Sequence, residues 1–330
     1  MVHPFSASPD ARSHLLPLAR RSLLTGAAAM LGVAPLAARA AGDVLRVGDQ
    51  KGGCEAVMKA AGVLADLPYT LKWSQFAAAA PLLEALNADA VDTAYASDAP
   101  STFALAAGAD ARVVAAFRSS GSNTAILVGP NSAITTAAQL KGKRIATNRG
   151  SVGHALILAL AERDGWAESD IHLANLLPSD AKAALATGSV DAWSTWDVYI
   201  AQAQITDGAK IIVDGSGGLL SGLGFQTATT GAIKAKRAAL SDFLHRHAQA
   251  RRWALTHADD YARVLAAEIG VSVPIAQRTL QFDNIGPVQI DDQVIADEQR
   301  TADRYLRAHL LRSHLDAAPI FDRSFNATVT

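Results

Sequence analysis

One cysteine, Cys54, stands in 330 residues. A lone cysteine excludes an intramolecular disulfide, a cysteine-rich zinc site and a metal cluster. Excess charge of either sign is also missing, because 30 lysines and arginines meet 31 aspartates and glutamates. With no basic surplus to coat a phosphate backbone, nucleic-acid binding is not expected. Past the first 40 residues, no apolar run approaches the ~20 residues that a membrane-spanning helix needs. Catalytic signatures are lacking as well. Ser151 has Gly153 behind it but Arg149 where the first glycine of a nucleophile elbow belongs. No Gly-x-Gly-x-x-Gly follows a strand, and neither a Walker loop nor His-Glu-x-x-His occurs. His245 and His247 are two apart on a predicted helix and so face different ways. The chain therefore reads as a non-enzyme that needs neither cofactor nor metal.

What is present is the composition of a globular protein with ample core, half apolar and 18% charged. Its length allows one large domain or two ordinary ones. Residues 1–40 read as an export signal: Arg20 and Arg21 form a basic segment, residues 22–36 are uncharged and rich in Ala, Leu and Gly, and Ala38-Arg39-Ala40 has the small-x-small cleavage pattern. The paired arginines and the mild apolar stretch resemble a twin-arginine signal, with ordinary secretion as the alternative. Cleavage after Ala40 leaves 290 residues with 26 basic and 30 acidic side chains. An exported protein without a second apolar span is expected in the periplasm.

The mature chain alternates short apolar strands with helical stretches, the pattern of α/β units around parallel sheets. Strands are predicted at 44–48, 71–76, 91–95, 112–117, 125–129 and 144–147, with helices at 55–65, 81–87 and 98–107. Two blocks recur. Arg46-Val47-Gly48 before Gln50-Lys51-Gly52 matches Arg144-Ile145-Ala146 before Arg149-Gly150, an offset of 98. Ala85-Leu86, Val91-Asp92 and Asp98 match Ala184-Leu185, Val190-Asp191 and Asp197, an offset of 99. Nearly equal offsets predict two related lobes. We place the first at 41–128 and 229–330 and the second at 129–228. The last third, helical by periodicity over 237–257, 261–269, 274–282 and 294–311, is expected to pack on one lobe without adding a sheet.

In parallel α/β sheets a ligand lies beyond the carboxyl ends of the strands, where loops and helix N-termini meet. Three such junctions carry suitable residues: Gln50-Lys51-Gly52-Gly53, Ser97-Asp98-Ala99, and Arg149-Gly150-Ser151 with His154 just beyond. Helix N-termini offer unpaired N–H donors and about half a positive charge each, so three together can hold an anion without a basic surface. The bland alternatives are helix caps for Ser97, Asp98 and Ser151, solvent exposure for Lys51 and Arg149, and a structural histidine. At the end of the repeat in the second lobe, Trp193-Ser194-Thr195-Trp196-Asp197 places one tryptophan in the core and Trp196 where it can wall an apolar ligand tail. Phe225 stands where the chain returns to the first lobe, with core packing as its alternative.

At these residues the sequence resembles the aliphatic-sulfonate-binding proteins of ABC importers, a group that includes taurine- and nitrate-binding relatives. Leu45-Arg46-Val47-Gly48 with Gln50-Lys51-Gly52, Leu82-Leu83-Glu84-Ala85-Leu86-Asn87, Ser97-Asp98-Ala99-Pro100, Leu140-Lys141-Gly142-Lys143, Gly150-Ser151 with His154, Val190-Asp191-Ala192-Trp193, Trp196-Asp197 and Tyr199 carry the likeness, as do Gln289-Ile290-Asp291-Asp292 later on. The resemblance implies a two-lobed α/β periplasmic binding protein of the second structural type. Its chain crosses twice between lobes that close over the ligand. It also implies a small organic anion as ligand, an inner-membrane ABC permease as partner and action as a monomer. The sulfonate head would meet Gly52-Gly53, Ser97-Asp98-Ala99 and Gly150-Ser151, with Trp196 beside the alkyl chain and Asp197 and Phe225 nearby. Departures fall at the ligand: Asp49 replaces an aromatic residue, Val152 an asparagine and Val198 a proline. They imply a larger, functionalised or zwitterionic organosulfur compound. Taurine, a sulfate ester, an aromatic sulfonate and nitrate are the other ligands considered. An enzyme on the same scaffold, such as a relative of the thiamine-pyrimidine synthases, is disfavoured by the single cysteine and the export signal.

Overall fold

The computed structural model describes residues 44–282 and 284–329; the export signal expected over residues 1–40 lies outside the described residues. β1 (Val44–Gln50) has Leu45 and Val47 fully buried, as a half-buried strand requires. It is followed by α1 (Cys54–Ala60), β2 (Thr70–Phe76), α2 (Ala79–Asn87), β3 (Thr93–Ser97), α3 (Asp98–Ala106) and β4 (Ala111–Arg118). The chain then moves to a second sheet through β5 (Thr124–Val128), β6 (Arg144–Thr147), α4 (Val152–Asp164), β7 (His172–Asn175), α5 (Pro178–Ala186), β8 (Ala192–Trp196), α6 (Val198–Asp207) and β9 (Lys210–Asp214). β10 (Leu223–Thr229) returns to the first sheet. Next come α7 (Thr230–Ala235), α8 (Arg237–Ala254), α9 (Ala258–Ile269), α10 (Val273–Phe282), β11 (Gly286–Val288) and α11 (Asp292–Arg307).

The first sheet runs β11-β4-β10-β3-β1-β2 and the second β7-β6-β8-β5-β9. Apart from β11, the two orders superpose strand for strand, with β10 and β5 as the antiparallel members. The sequence repeat has a matching physical basis. Arg46 N–H donates to Asp92 Oδ2 (2.7 Å) and Asp92 N–H donates back to the Arg46 carbonyl (2.8 Å). In the second lobe Arg144 N–H donates to Asp191 Oδ2 (2.8 Å), and Asp191 N–H returns to the Arg144 carbonyl (2.9 Å). In each lobe an aspartate locks the entry of one strand to the start of another.

Two expectations need correction. The crossings do not fall after residues 128 and 228 but at residues 119–123 and 215–222. β5 pairs with β8 and β9, β10 pairs with β3 and β4, and every residue of both strands is buried. Such wholly buried strands need partners on both sides, so each crosses to become an inner strand of the other lobe's sheet. The two crossing segments touch through backbone: Ser119 N–H donates to the Gly222 carbonyl at 2.9 Å. A Cβ on Gly222, whose φ is +67°, would stand 2.2 Å from the Ser119 carbonyl oxygen.

The C-terminal third also does not keep to one lobe. α8 and α9 share a core with α1 through Phe243, Leu244, Tyr261, Leu265, Val57 and Met58. Gly270, at φ +70°, ends α9 and turns the chain towards the second lobe. Phe282 of α10 joins Trp193 and Ile200 in that lobe's core, and Arg278 Nε donates to Gln204 Oε1 of α6 at 3.0 Å. β11 adds an edge to the first sheet, beside β4. α11 reaches the second lobe too, giving Glu162 of α4 hydrogen bonds from Arg304 (2.9 Å) and Arg307 (2.5 Å).

The equivalent aspartates differ in burial. Asp92 also receives Arg46 Nη2 (2.6 Å) and Lys236 Nζ (2.7 Å) and is 2% exposed, whereas Asp191 is exposed. Burial alone would raise the Asp92 pKa, but the hydrogen bonds from Arg46 and Lys236 hold it below the usual carboxylate range. Asp92→Ala should therefore cost about 2–3 kcal/mol and Asp191→Ala about 0.5–1 kcal/mol, read as the difference in urea midpoints.

Candidate ligand-binding site

The carboxyl ends of β1, β3, β6 and β8 face one cavity of about 390 Å³, floored by α8, α9 and α10. That volume suits a small organic ligand. Of the residues expected there, Gln50, Lys51, Gly52, Gly53, Ser97, Gly150, Ser151, Trp196 and Asp197 line it. Asp98, Ala99, Arg149, His154 and Phe225 do not.

The reasons are local. Asp98 is buried and turned aside: Oδ2 accepts from Ser221 Oγ (2.5 Å) and Thr301 Oγ1 (3.1 Å), tying α3 to the second crossing and to α11. It lines only a small adjoining cavity of about 30 Å³. Ala99 is fully buried in the core between the lobes. Arg149 is exposed, its N–H held by Asn175 Oδ1 at 2.8 Å. Phe225 is fully buried edge-on against Phe321 in the core of the first lobe. His154 lies behind the turn, where its Nδ1 accepts the Gly150 N–H at 3.2 Å. Burial and the Arg149 charge push its pKa down to about 4, so the ring stays neutral and Nδ1 remains an acceptor near neutral pH.

In the first lobe the structure revises the expected source of donors. Asp49 is fully buried at the end of β1, and its carboxylate sits over the start of α1. Oδ1 accepts the Gln50 N–H (2.9 Å) and Oδ2 the Glu55 N–H (2.8 Å), while Gly53 N–H closes onto the Gln50 carbonyl (2.8 Å). Three of the N–H groups of this turn are therefore engaged by the chain itself. Gly53 must be glycine, because a Cβ would stand 2.1 Å from Asp49 Oδ1. Burial pushes the Asp49 carboxyl up to about 6, against the backbone donors and the nearby Arg251 that favour its charge. Glu55, the other acid near this turn, is drawn away by Gln75 (2.5 Å) and Lys59 (3.0 Å).

The second-lobe turn is more open. Ser151 caps α4 by accepting the His154 N–H at 3.2 Å, and Val152, in the first helical turn, lines the cavity with no intrahelical acceptor for its N–H. Ser97, by contrast, makes no capping hydrogen bond with its hydroxyl. Trp193 is 1% exposed in the core, whereas Trp196 lines the cavity, edge to face with Tyr199 at 6.0 Å. Asp197 adopts φ +46°, a conformation costly for any residue but glycine. It is held there by Asn123 of the first crossing, whose carbonyl accepts the Asp197 N–H (2.9 Å) and whose Nδ2 donates to Oδ1 (3.1 Å).

Sequence reasoning missed Tyr95, Asn123, Asn148, Gln202, Arg251 and Thr279, all of which line the cavity. Arg251 is 3% exposed, with its guanidinium 5.3 Å from the centre of the Tyr95 ring. One signal could have found it. Leu240, Phe243, Leu244, His247, Ala248 and Arg251 form one buried stripe at helical spacing, and an arginine on such a stripe needs an explanation.

The comparisons with known proteins agree with this fold. The NMT1/THI5-like family matches residues 75–260. A protein of Escherichia coli (strain K12) named for binding aliphatic sulfonates is 32% identical over 287 residues, 85% of this chain and 89% of its own. The solved alkanesulfonate-binding protein SsuA from Xanthomonas axonopodis pv. citri, bound to MOPS, superposes with a TM-score of 0.78 at 31% identity, over 85% of this chain and 98% of that one. The periplasmic aliphatic sulphonate binding protein SsuA from Escherichia coli gives 0.77 at 29% identity, over 85% and 92%.

Because the Asp49 pKa is raised on folding, its protonated form favours the folded state. That contribution is complete below the unfolded value near 4 and is lost as pH rises through about 6. The melting temperature of the wild type relative to Asp49→Asn should thus be higher at pH 4 than at pH 7, as followed by circular dichroism.

With two superposable lobes, a shared cavity at their strand ends and this similarity along most of its length, the chain belongs to the aliphatic-sulfonate-binding proteins of the NMT1/THI5-like family.

Proposed function

We propose that this protein is the periplasmic solute receptor of an ABC importer for an aliphatic sulfonate or a related organosulfur anion, bound as a monomer in the cavity between the lobes and delivered to an inner-membrane permease. The observation that carries the reading is the cavity itself. Turns of both lobes line it, so a ligand there contacts both at once and favours their closed arrangement. The α4 N-terminus and Ser151 offer polar contacts to an acid group, and Trp196 with Tyr199 offers an apolar wall to a chain. A relative of the same fold holds MOPS, an organic sulfonate. The role is binding, not catalysis, as the relatives' names describe.

The carboxylates of Asp49 and Asp197 in the lining support a second reading of the ligand, one that also carries a cationic group, as taurine does. Melting the protein with alkanesulfonates, taurine, sulfate esters, aromatic sulfonates, sulfate and nitrate separates these. A ligand at 100 times its dissociation constant adds about 2.7 kcal/mol of stability. Ser151→Ala should weaken binding of the active compound at least tenfold, about 1.4 kcal/mol. A panel without any shift, or full affinity in Ser151→Ala, would remove the sulfonate reading or this wall of the site respectively.

A further inference from the structure

Resting on the reading of the cavity as an anion site, we infer that the receptor takes up a proton at Asp49 when it binds its anion, so that Asp49 tunes affinity to pH. Among the described residues, two acids line the cavity, Asp49 and Asp197. Asp197 is half-buried, whereas Asp49 is fully buried. A bound anion therefore meets a second negative charge in a wall from which water is excluded, where like charges repel strongly. The repulsion ends when one proton from solvent converts the carboxylate to the neutral acid. The two events then favour each other. A protonated Asp49 strengthens anion binding, and a bound anion raises the proton affinity of Asp49 by the same factor.

The surroundings hold this carboxyl close to its titration point. Oδ1 accepts the Gln50 N–H and Oδ2 the Glu55 N–H, and the Arg251 charge on α8 also favours the charged form. Burial outweighs them and puts the value at about 6, so both forms exist within reach of neutral pH. The other ionisable groups around Asp49 do not take over this role. Burial, followed by the Asp49 charge, pushes the Cys54 thiol of α1 well up, and it stays neutral. His247 of α8 is fully buried, and burial followed by the Arg251 charge holds it well below its usual value, so it is neutral too. Tyr95 of β3 sets its ring against the Arg251 guanidinium at 5.3 Å. From β2, the cross-strand partner is the uncharged Gln75, which turns Glu55 aside together with Lys59. Glu268 of α9 pairs with the same lysine at 3.1 Å. Lys51 is exposed, where water and salt screen it.

The test is titration calorimetry between pH 5 and pH 8 with 1-butanesulfonate, whose own head group stays charged throughout. The wild-type dissociation constant should rise about tenfold across that range, and two buffers of different ionisation enthalpy should report uptake of about half a proton near pH 6.5. In Asp49→Asn both effects should vanish, and the variant should bind more tightly than the wild type at pH 8. The buried acids Asp98 and Glu298, whose values are also raised, are the rival source of a pH dependence. Glu298→Gln should keep the wild-type profile. If Asp49→Asn fails to fold, carboxyl-carbon NMR of the wild type decides, because the Asp49 midpoint must rise on saturation with 1-butanesulfonate. An unchanged midpoint, a flat wild-type profile or an equal slope in Asp49→Asn would overturn the inference and leave the sulfonate reading standing. A wild type that binds 1-butanesulfonate at no pH would end the sulfonate reading, and the inference with it.

Discussion

Each sheet of this protein has among its inner strands one that the chain can reach only by crossing from the other sheet. β5 and β10 are wholly buried and antiparallel to their neighbours, so neither lobe can complete its core without a strand supplied after a crossing. That constraint places the two crossing segments side by side and makes close backbone approach at Gly222 a necessity. It also turns the carboxyl ends of both sets of parallel strands toward one shared cavity. The crossings even contribute to the cavity, since Asn123 lines it and holds Asp197 at its positive φ. Support of the fold and shaping of the site are here performed by the same few residues.

Most of the architecture was legible because its signals are local. Alternating burial marks β1, glycines end helices, and the repeat in sequence reappears as the same aspartate-to-arginine exchange in both lobes. The lobe boundaries were not legible, because an apolar run such as β5 looks alike whichever sheet receives it. Nor was the course of α10, whose Phe282 finds its core among side chains of the other lobe, between Ala125 and Ile211.

For the site, Gly and Ser at strand ends marked the right turns, but composition could not show which donors those turns had already spent. Asp49 capping α1 and His154 accepting from Gly150 are contacts that only three-dimensional placement reveals. Asp98 shows the converse. It stands at the start of a helix like a ligand residue, yet it serves a buried polar cluster in which Glu298 accepts from Thr102 at 2.5 Å. Burial, followed by the neighbouring Asp98, pushes the Glu298 pKa well above its usual value.

The grip of α10 on α6 has a mechanical meaning. Two peptide segments join the sheets, and α10 adds a further tie, with Phe282 seated in the core of the second lobe and Ala276 and Leu280 in that of the first. Parting the lobes must then pull one set of these side chains from its core as well as bend the two crossings.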